Sequence, residues 1–597
     1  MGTAEQLGRG RGLAGELGSR AVEFHRAETL SIPITLVILV PAFGALVAAA
    51  VPVVLALTAV AATLGLLAVP SQLAPLDGAV SSVVLLIGMA VGIDYALFYI
   101  RREREERAGG ASRERALATA AATSGRAVLV SGMTVLIAMA GMFLTGNATF
   151  SSFALGTMIV VAVAMVGSVT FLPAMLAVLG DRIEWGRIPR LGRRGTPGAR
   201  SRLWNTVTRS ALRRPLASAL VALTALAALA VPAFGLQTLV PGAQSVPASL
   251  PVMKTDARIQ AAFPGDPAPA QVVVAAANVG APTVRAAITG LERSAMASGQ
   301  VGQPMSVSVN TAGTVAVVQM PLAGGGTDAP SNRALVTLRD RLIPRAFGRL
   351  TGVTVQVTGE TAQSKDFNDL IAARTPLVFA FVLGLAFLLL LVTFRSLAIT
   401  VTAIALTLLS VGAAYGVLVL VFQHHWAEGL LGFHSIGGIT SWLPLFLFIV
   451  LFGLSMDYHV FILSRIKEAR DRGMSTRDAV AHGLATTAGV VNNAAIVMAA
   501  VFAIFATLSS LEFKQLGVGL AAAVLIDATL IRCVLLPATM TLLGEANWYL
   551  PRRMHRLWGA ESALPREQPA AARPAAIRRS ESVAQTAGAV ESANAGP

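Results

Sequence analysis

One cysteine, five tyrosines and 13% charged residues are spread over a chain of 597 positions. The lone thiol, Cys533, rules out an intrachain disulfide, and inside an apolar run it reads as a small buried hydrophobe. Soluble domains carry roughly 25% charged residues. A chain with about half of that is not a collection of solvated domains. No Walker sequence is present, so ATP is not a visible energy source, and Gly109-Gly110 and Gly437-Gly438 are loop glycines without a phosphate-binding context. His424, His425 and His434 share one short loop, but no cysteine or acidic cluster completes a metal site, and they read as solvated. No cofactor is expected.

What the chain does hold is apolar sequence. Hydrophobic residues make up 54% of it, with a mean hydropathy of +0.67. Eleven runs are about long enough to cross a bilayer: 33–50, 52–70, 80–100, 127–145, 153–179, 216–235, 375–394, 397–422, 441–463, 489–509 and 515–543. The net charge of +15 is mostly arginine and lies in short segments between these runs. Such a distribution sets membrane topology and does not point to nucleic acid. Segment 101–126 holds seven arginines and 181–214 holds ten, whereas loops 70–79, 146–152 and 423–440 have neither Lys nor Arg. The basic loops are therefore assigned to the cytoplasm and residues 236–373 to the outside.

The outer segment reads as a small domain. Strand-like runs at Gln271–Ala275, Met305–Val309, Thr314–Gln319 and Val353–Thr358 alternate with helix-like runs at Pro282–Ser298 and Ser331–Leu350. The order β-α-β-β-α-β is that of a ferredoxin-like unit, a superfold that implies no activity by itself. The expected organisation is a remnant at 1–30, a five-span bundle at 31–180 and a basic linker at 181–215. One span at 216–235, the outer domain at 236–373, a second five-span bundle at 374–545 and a disordered cytoplasmic tail at 546–597 complete it.

The two bundles repeat each other. Setting Asp94 on Asp457 also aligns Tyr95 with Tyr458, Phe98 with Phe461, Gly110 with Gly473, Ser112 with Ser475 and Thr123 with Thr486; one extra residue is needed before Pro173 meets Pro537. Both halves run in the same direction, so the fold class is a polytopic α-helical membrane protein of two parallel pseudo-repeated bundles with one extracytoplasmic α+β domain. Parallel repeats in transporters share a functional interface near the bilayer midplane. An Asp near the middle of a membrane helix costs about 2.5–3.5 kcal/mol on insertion scales, so one that persists has a partner, a cavity or a task. Asp94-Tyr95 and Asp457-Tyr458 are such groups in equivalent places. Asp527 and Arg532 on the last span have apolar or small counterparts, Val163 and Ser168. Five residues apart on an α-helix they do not share a face, so each is expected to meet another helix, either in support of a proton relay or as a structural ion pair. His459 either extends a proton path or is a polar residue near the cytoplasmic end.

The stretches Gly92-Ile93-Asp94-Tyr95 with Arg101-Arg102-Glu103, Met456-Asp457-Tyr458 with Arg465-Ile466-Lys467-Glu468, and Leu525 to Pro537 resemble the MMPL family of the resistance-nodulation-division superfamily. The resemblance covers roughly residues 25–545. It implies a plasma-membrane exporter of lipidic or other hydrophobic compounds, driven by the proton motive force and not an enzyme, with Asp94, Tyr95, Asp457 and Tyr458 as the proton relay. Envelope-synthesis partners or a homo-oligomer fit the same reading. Family members have twelve spans and two porter domains; here the first half lacks its first span and its porter domain, which reads as a late start or a natural shortening. The competing readings are a non-pumping membrane scaffold, in which the Asp-Tyr pairs only fix helix packing, and a sterol-sensing or protein-export relative of the same architecture.

Overall fold

The computed structural model describes residues 43–187, 209–240 and 269–551 except positions 325 and 509, with scattered positions at 33–41 and 254–258. The expected remnant at 1–30, most of the basic linker and nearly all of the tail fall outside the described residues.

The first bundle consists of α1 (Leu46–Leu67), α2 (Val80–Ala108), α3 (Arg113–Ala140), α4 (Ala148–Val169) and α5 (Phe171–Leu179). Span α6 (Pro215–Ala230) leads to the α+β domain. The second bundle consists of α10 (Glu360–Phe394), α11 (Leu397–Leu418), the short loop helix α12 (Glu428–Leu431), α13 (Leu443–Asp471), α14 (Thr476–Phe505), α15 (Leu511–Ile526) and α16 (Leu536–Leu543). Among the described residues nine helices are long and apolar enough to cross a membrane, or ten if α14, bent by 50° near residues 487–491, counts as one span. The expected boundary at Val51-Pro52 is absent: α1 starts at Leu46 and runs through Pro52. A membrane helix tolerates the lost N–H of a proline because tightly packed neighbours re-satisfy the freed backbone. Most of the run expected at 33–45 lies outside the described residues.

The repeat is visible in how the helices begin. Ser112 caps α3 by accepting the N–H of Arg115, and its counterpart Ser475 caps α14 by accepting that of Asp478. Gly110 and Gly473, two residues before each cap, hold φ of +91° and +93°. That left-handed conformation favours glycine, which explains why both turns carry it.

Helices α2 and α13 occupy the centre. In their most apolar windows 94% and 83% of residues are buried, against 11% for α6 at the periphery. A helix apolar all round belongs inside a membrane bundle, and a buried carboxylate there has no lipid-facing escape. The aligned residues Phe98 and Phe461 touch each other, ring centroids 5.4 Å apart. Counterparts that meet their own mates lie close to the axis relating the two halves.

The α+β domain contains β2 (Ala270–Ala276), α7 (Pro282–Ala297), β3 (Ser306–Val309), β4 (Val315–Met320), α8 (Ala329–Thr337), α9 (Ile343–Phe347) and β5 (Val353–Thr358). The sheet order β3-β4-β2-β5 is antiparallel throughout and ferredoxin-like. Val284, Ile288, Leu291 and Ala295 of α7 recur at helical spacing and close over Val272, Val274, Val318 and Met320. The domain is tied to the spans by side-chain bonds and by a short strand pair. Arg339 grips Asp366 of α10 in a two-pronged pair at 2.6 and 2.9 Å. Strand β1 (Thr238–Leu239), after α6, lies parallel to β6 (Ile439–Thr440), just before α13. Gln515 of α15 clamps β6 by accepting the Thr440 N–H at 2.9 Å and donating to the Gly438 carbonyl at 3.2 Å.

Candidate functional site

The four residues singled out by the repeat lie where the side chains of α2 and α13 meet, but they do not pair symmetrically. The Tyr458 hydroxyl donates to Asp94 Oδ1 at 2.5 Å, joining the second half to the first. The mirror contact is absent. Tyr95, which is buried, reaches toward Ser131 but closes no hydrogen bond among the described residues. Asp457 instead accepts from Thr134 of α3 at 3.0 Å. Sequence explains the difference: at the repeat spacing, Ser131 and Thr134 stand opposite Ala494 and Val497, so only the first half offers hydroxyls at these two positions. Asp94 is 4% exposed and Tyr458 1%, so neither carboxylate nor phenol has bulk water to turn to. Phe98 stands beside the Tyr458 ring, centroids 5.8 Å apart, and Met498 Sδ lies 3.8 Å from its hydroxyl.

Asp527 and Arg532 meet each other, contrary to the expectation drawn from an α-helix. The segment Asp527–Leu535 is a π-helix. Its hydrogen bonds run from i to i+5, which puts residues five apart on one face. The Arg532 guanidinium therefore bonds the Asp527 carboxylate within a single element. Each residue also touches α13. Ser455 Oγ donates to Asp527 Oδ2 at 2.6 Å, and the guanidinium lies 4.3 Å over the Tyr458 ring. The π-helix also accounts for the irregular register of the repeat. Helices α4 and α15 begin at the same spacing as Asp94 and Asp457, but Pro173 and Pro537 are one residue further apart. The extra residue of the second half is absorbed in the π-turn, and the charged pair sits there.

A polar cluster thus occupies the second half alone. Ser455, His459, Asp527 and Arg532 stand where the first half has Gly92, Ala96, Val163 and Ser168. His459 is buried, its Nδ1 3.0 Å from the Ser455 carbonyl and its Nε2 without a partner among the described residues. Asp527 Oδ1 and Arg532 Nε are likewise buried and unpartnered there. A cavity of about 20 Å³ is lined by Ser410, Ser455, Tyr458, Asp527 and Arg532. One water needs roughly 10–15 Å³ and two or more polar partners, and this cavity offers both. Chemically the arrangement can hold, exchange and relay protons: two acids, a phenol bridging the halves, and room for a water beside the ion pair. Elsewhere, the outer loop gathers His425 and His434 around Glu428, at 2.8 and 3.8 Å, and no group of three or more candidate ligands able to hold a metal ion occurs among the described residues.

Residues 18–218 and 244–572 match the family model described as the MMPL family. The chain is 37% identical over 564 residues to the "Mycolic acid-containing lipids exporter MmpL11" of Mycolicibacterium smegmatis, covering 92% of this chain and 58% of that one. It is 37% identical to the "Heme uptake protein MmpL11" of Mycobacterium tuberculosis (92% and 56%), and 29% identical to the "Trehalose monomycolate exporter MmpL3" of M. smegmatis (93% and 58%). The chain thus spans somewhat over half the length of these relatives. Among solved structures it resembles SecDF, a translocon-associated membrane protein of Thermus thermophilus, with a TM-score of 0.54 at 15% identity, covering 87% of this chain and 62% of that one. That likeness concerns the fold. Together with the spans, the matches identify a multi-pass plasma-membrane protein whose relatives are named as exporters and uptake proteins.

Proposed function

We propose a proton-driven working cycle for a chain that belongs to the MMPL family: export of lipidic or other hydrophobic compounds, with Asp94, Tyr95, Asp457 and Tyr458 as the proton relay. The observation that carries this reading is the Tyr458-to-Asp94 hydrogen bond, which makes the two halves share one buried acid. An ionised carboxylate only accepts hydrogen bonds; once protonated it also donates. Proton arrival at Asp94 therefore changes the bond that holds the halves together. Asp457 acts electrostatically on Asp94, and the two buried acids exchange protons as a coupled pair. The membrane potential supplies about 2.3 kcal/mol per charge per 100 mV, and the pH gradient adds to it. Asp527 and Arg532 support the relay by fixing the Tyr458 ring and presenting a water to it. The basic loops face the cytoplasm and the α+β domain faces outward, so Asp94 and Asp457 lie on helices that run inward. A lipidic cargo is supported by the names of two relatives; one relative named for haem uptake makes haem the alternative cargo. Association with envelope-synthesis proteins, or of several copies, is part of the same proposal.

The test is reconstitution of the full chain into vesicles with an imposed pH gradient. Asp94→Asn and Asp457→Asn should each abolish gradient-driven movement of a fluorescent lipid, while insertion into the vesicle and elution as a folded species persist. Movement that survives both exchanges overturns the relay and favours the scaffold reading.

A further inference from the structure

We infer that the groove between α6 and α11 at the basic end of the bundle is a binding site for an anionic phospholipid. The two helices are splayed. Toward the α+β domain their backbones are in contact: a Cβ added at Gly416 would lie 1.6 Å from the Leu229 carbonyl oxygen. Toward the other end they part and enclose a cavity of about 350 Å³. Leu216, Leu220 and Leu223 of α6 form one wall at helical spacing, Leu406 and Leu409 of α11 form the other, and Leu535 lies behind. Thr539 supplies the only hydroxyl, and that hydroxyl is spent on the Leu535 and Leu536 carbonyls. The groove thus offers no free side-chain polar group and takes hydrocarbon.

The mouth is the opposite. Arg213 and Arg214 directly precede Pro215, both exposed, and neither forms an ion pair among the described residues. Three other basic groups of that end are engaged: Arg470 with Glu545, Lys467 with the Thr393 and Phe394 carbonyls, and Arg477 with the Leu212 carbonyl. The first turn of α6 carries no side-chain cap, so its N–H groups and dipole add to the same positive field. A hydrocarbon slot whose first wall residue, Leu216, follows two exposed arginines by two positions matches an acyl chain attached to a phosphate, and basic pockets between spans on the cytoplasmic side recognise such headgroups. The occupant is a lipid of the leaflet at the basic end, remote from the α+β domain. It keeps α6, the least buried span, seated where α6 and α11 are not in contact.

The full chain, purified in detergent, is delipidated and offered phosphatidylglycerol or phosphatidylcholine at equal concentration, and bound lipid is counted by native mass spectrometry. One phosphatidylglycerol per chain is expected, with little phosphatidylcholine. The double exchange Arg213→Gln and Arg214→Gln should weaken retention about thirtyfold. Leu220→Trp, which fills the slot, should abolish it while elution volume and thermal midpoint stay as in the parent. Equal retention of both lipids, retention unaffected by either variant, or a mass showing a second copy of the chain displaced by Leu220→Trp would overturn the assignment.

Discussion

Tyr458 bonds Asp94 across the boundary between the halves, whereas Tyr95, its counterpart in the repeat, has no bond to Asp457. The two phenols should therefore fail differently. Tyr458→Phe leaves a buried carboxylate without its donor, at a cost of about 1–3 kcal/mol. Tyr95→Phe removes a hydroxyl that closes no hydrogen bond among the described residues and should be close to neutral. Thermal unfolding of the two variants in one detergent reads the contrast; equal losses would show that the pairing is symmetric.

The Asp527–Arg532 pair is 5–6% exposed at both side chains. Removing one member strands the other charge in the bundle, about 3–5 kcal/mol, while removing both is far milder. Asp527→Leu and Arg532→Met alone should each lower the thermal midpoint sharply, and the double variant should recover much of it. A double variant worse than either single would mean that the two residues act through separate partners.

Close approach of α6 and α11 makes two neighbouring glycines unequal. At Gly416 a Cβ would collide with backbone, while at Gly412 it would meet Ala230 Cβ at 3.6 Å, an ordinary contact. Gly416→Ala forces the helices apart and should cost about 1–3 kcal/mol or more. Gly412→Ala should be tolerated. Paired melting curves of the two variants check this.

In the outer loop the Ser435 N–H and then His425 hold the Glu428 carboxyl below its ordinary value of 4.5. A folded-state value below the unfolded one stabilises the loop above the ordinary value and ceases to do so as pH falls beneath it. Hydrogen exchange across residues 423–440, corrected for intrinsic rates, should therefore rise as the solution is taken below pH 4.5. Glu428→Gln should remove that dependence. A loop whose protection is flat with pH in the parent would refute it.

Much of the architecture was legible because it rests on composition and on local pattern. Apolar runs, arginine-rich loops and alternating strands report the spans and the α+β domain directly, and two Asp-Tyr dipeptides in register point to the centre. The rest was hidden for physical reasons. A π-turn is written by one inserted residue, not by a residue type, so Asp527 and Arg532 read as if on an α-helix and appeared to face apart. The unequal roles of Tyr95 and Tyr458 depend on Ser131 and Thr134, hydroxyls on a third helix that look like ordinary span residues. Strands of two residues, such as β1 and β6, carry no periodicity, and they pair across about two hundred positions of chain.

That short parallel pairing acts as a mechanical coupling. Helix α13 carries Asp457 and Tyr458 and begins three residues after Thr440, whose strand is hydrogen-bonded to the stem of the α+β domain through the Gln237 and Leu239 carbonyls. Gln515 grips the same strand from α15. An axial slide of α13 would therefore pull, through these hydrogen bonds, on the segment that leads out of α6, so a stroke at the buried acids is handed to the outer face of the bundle.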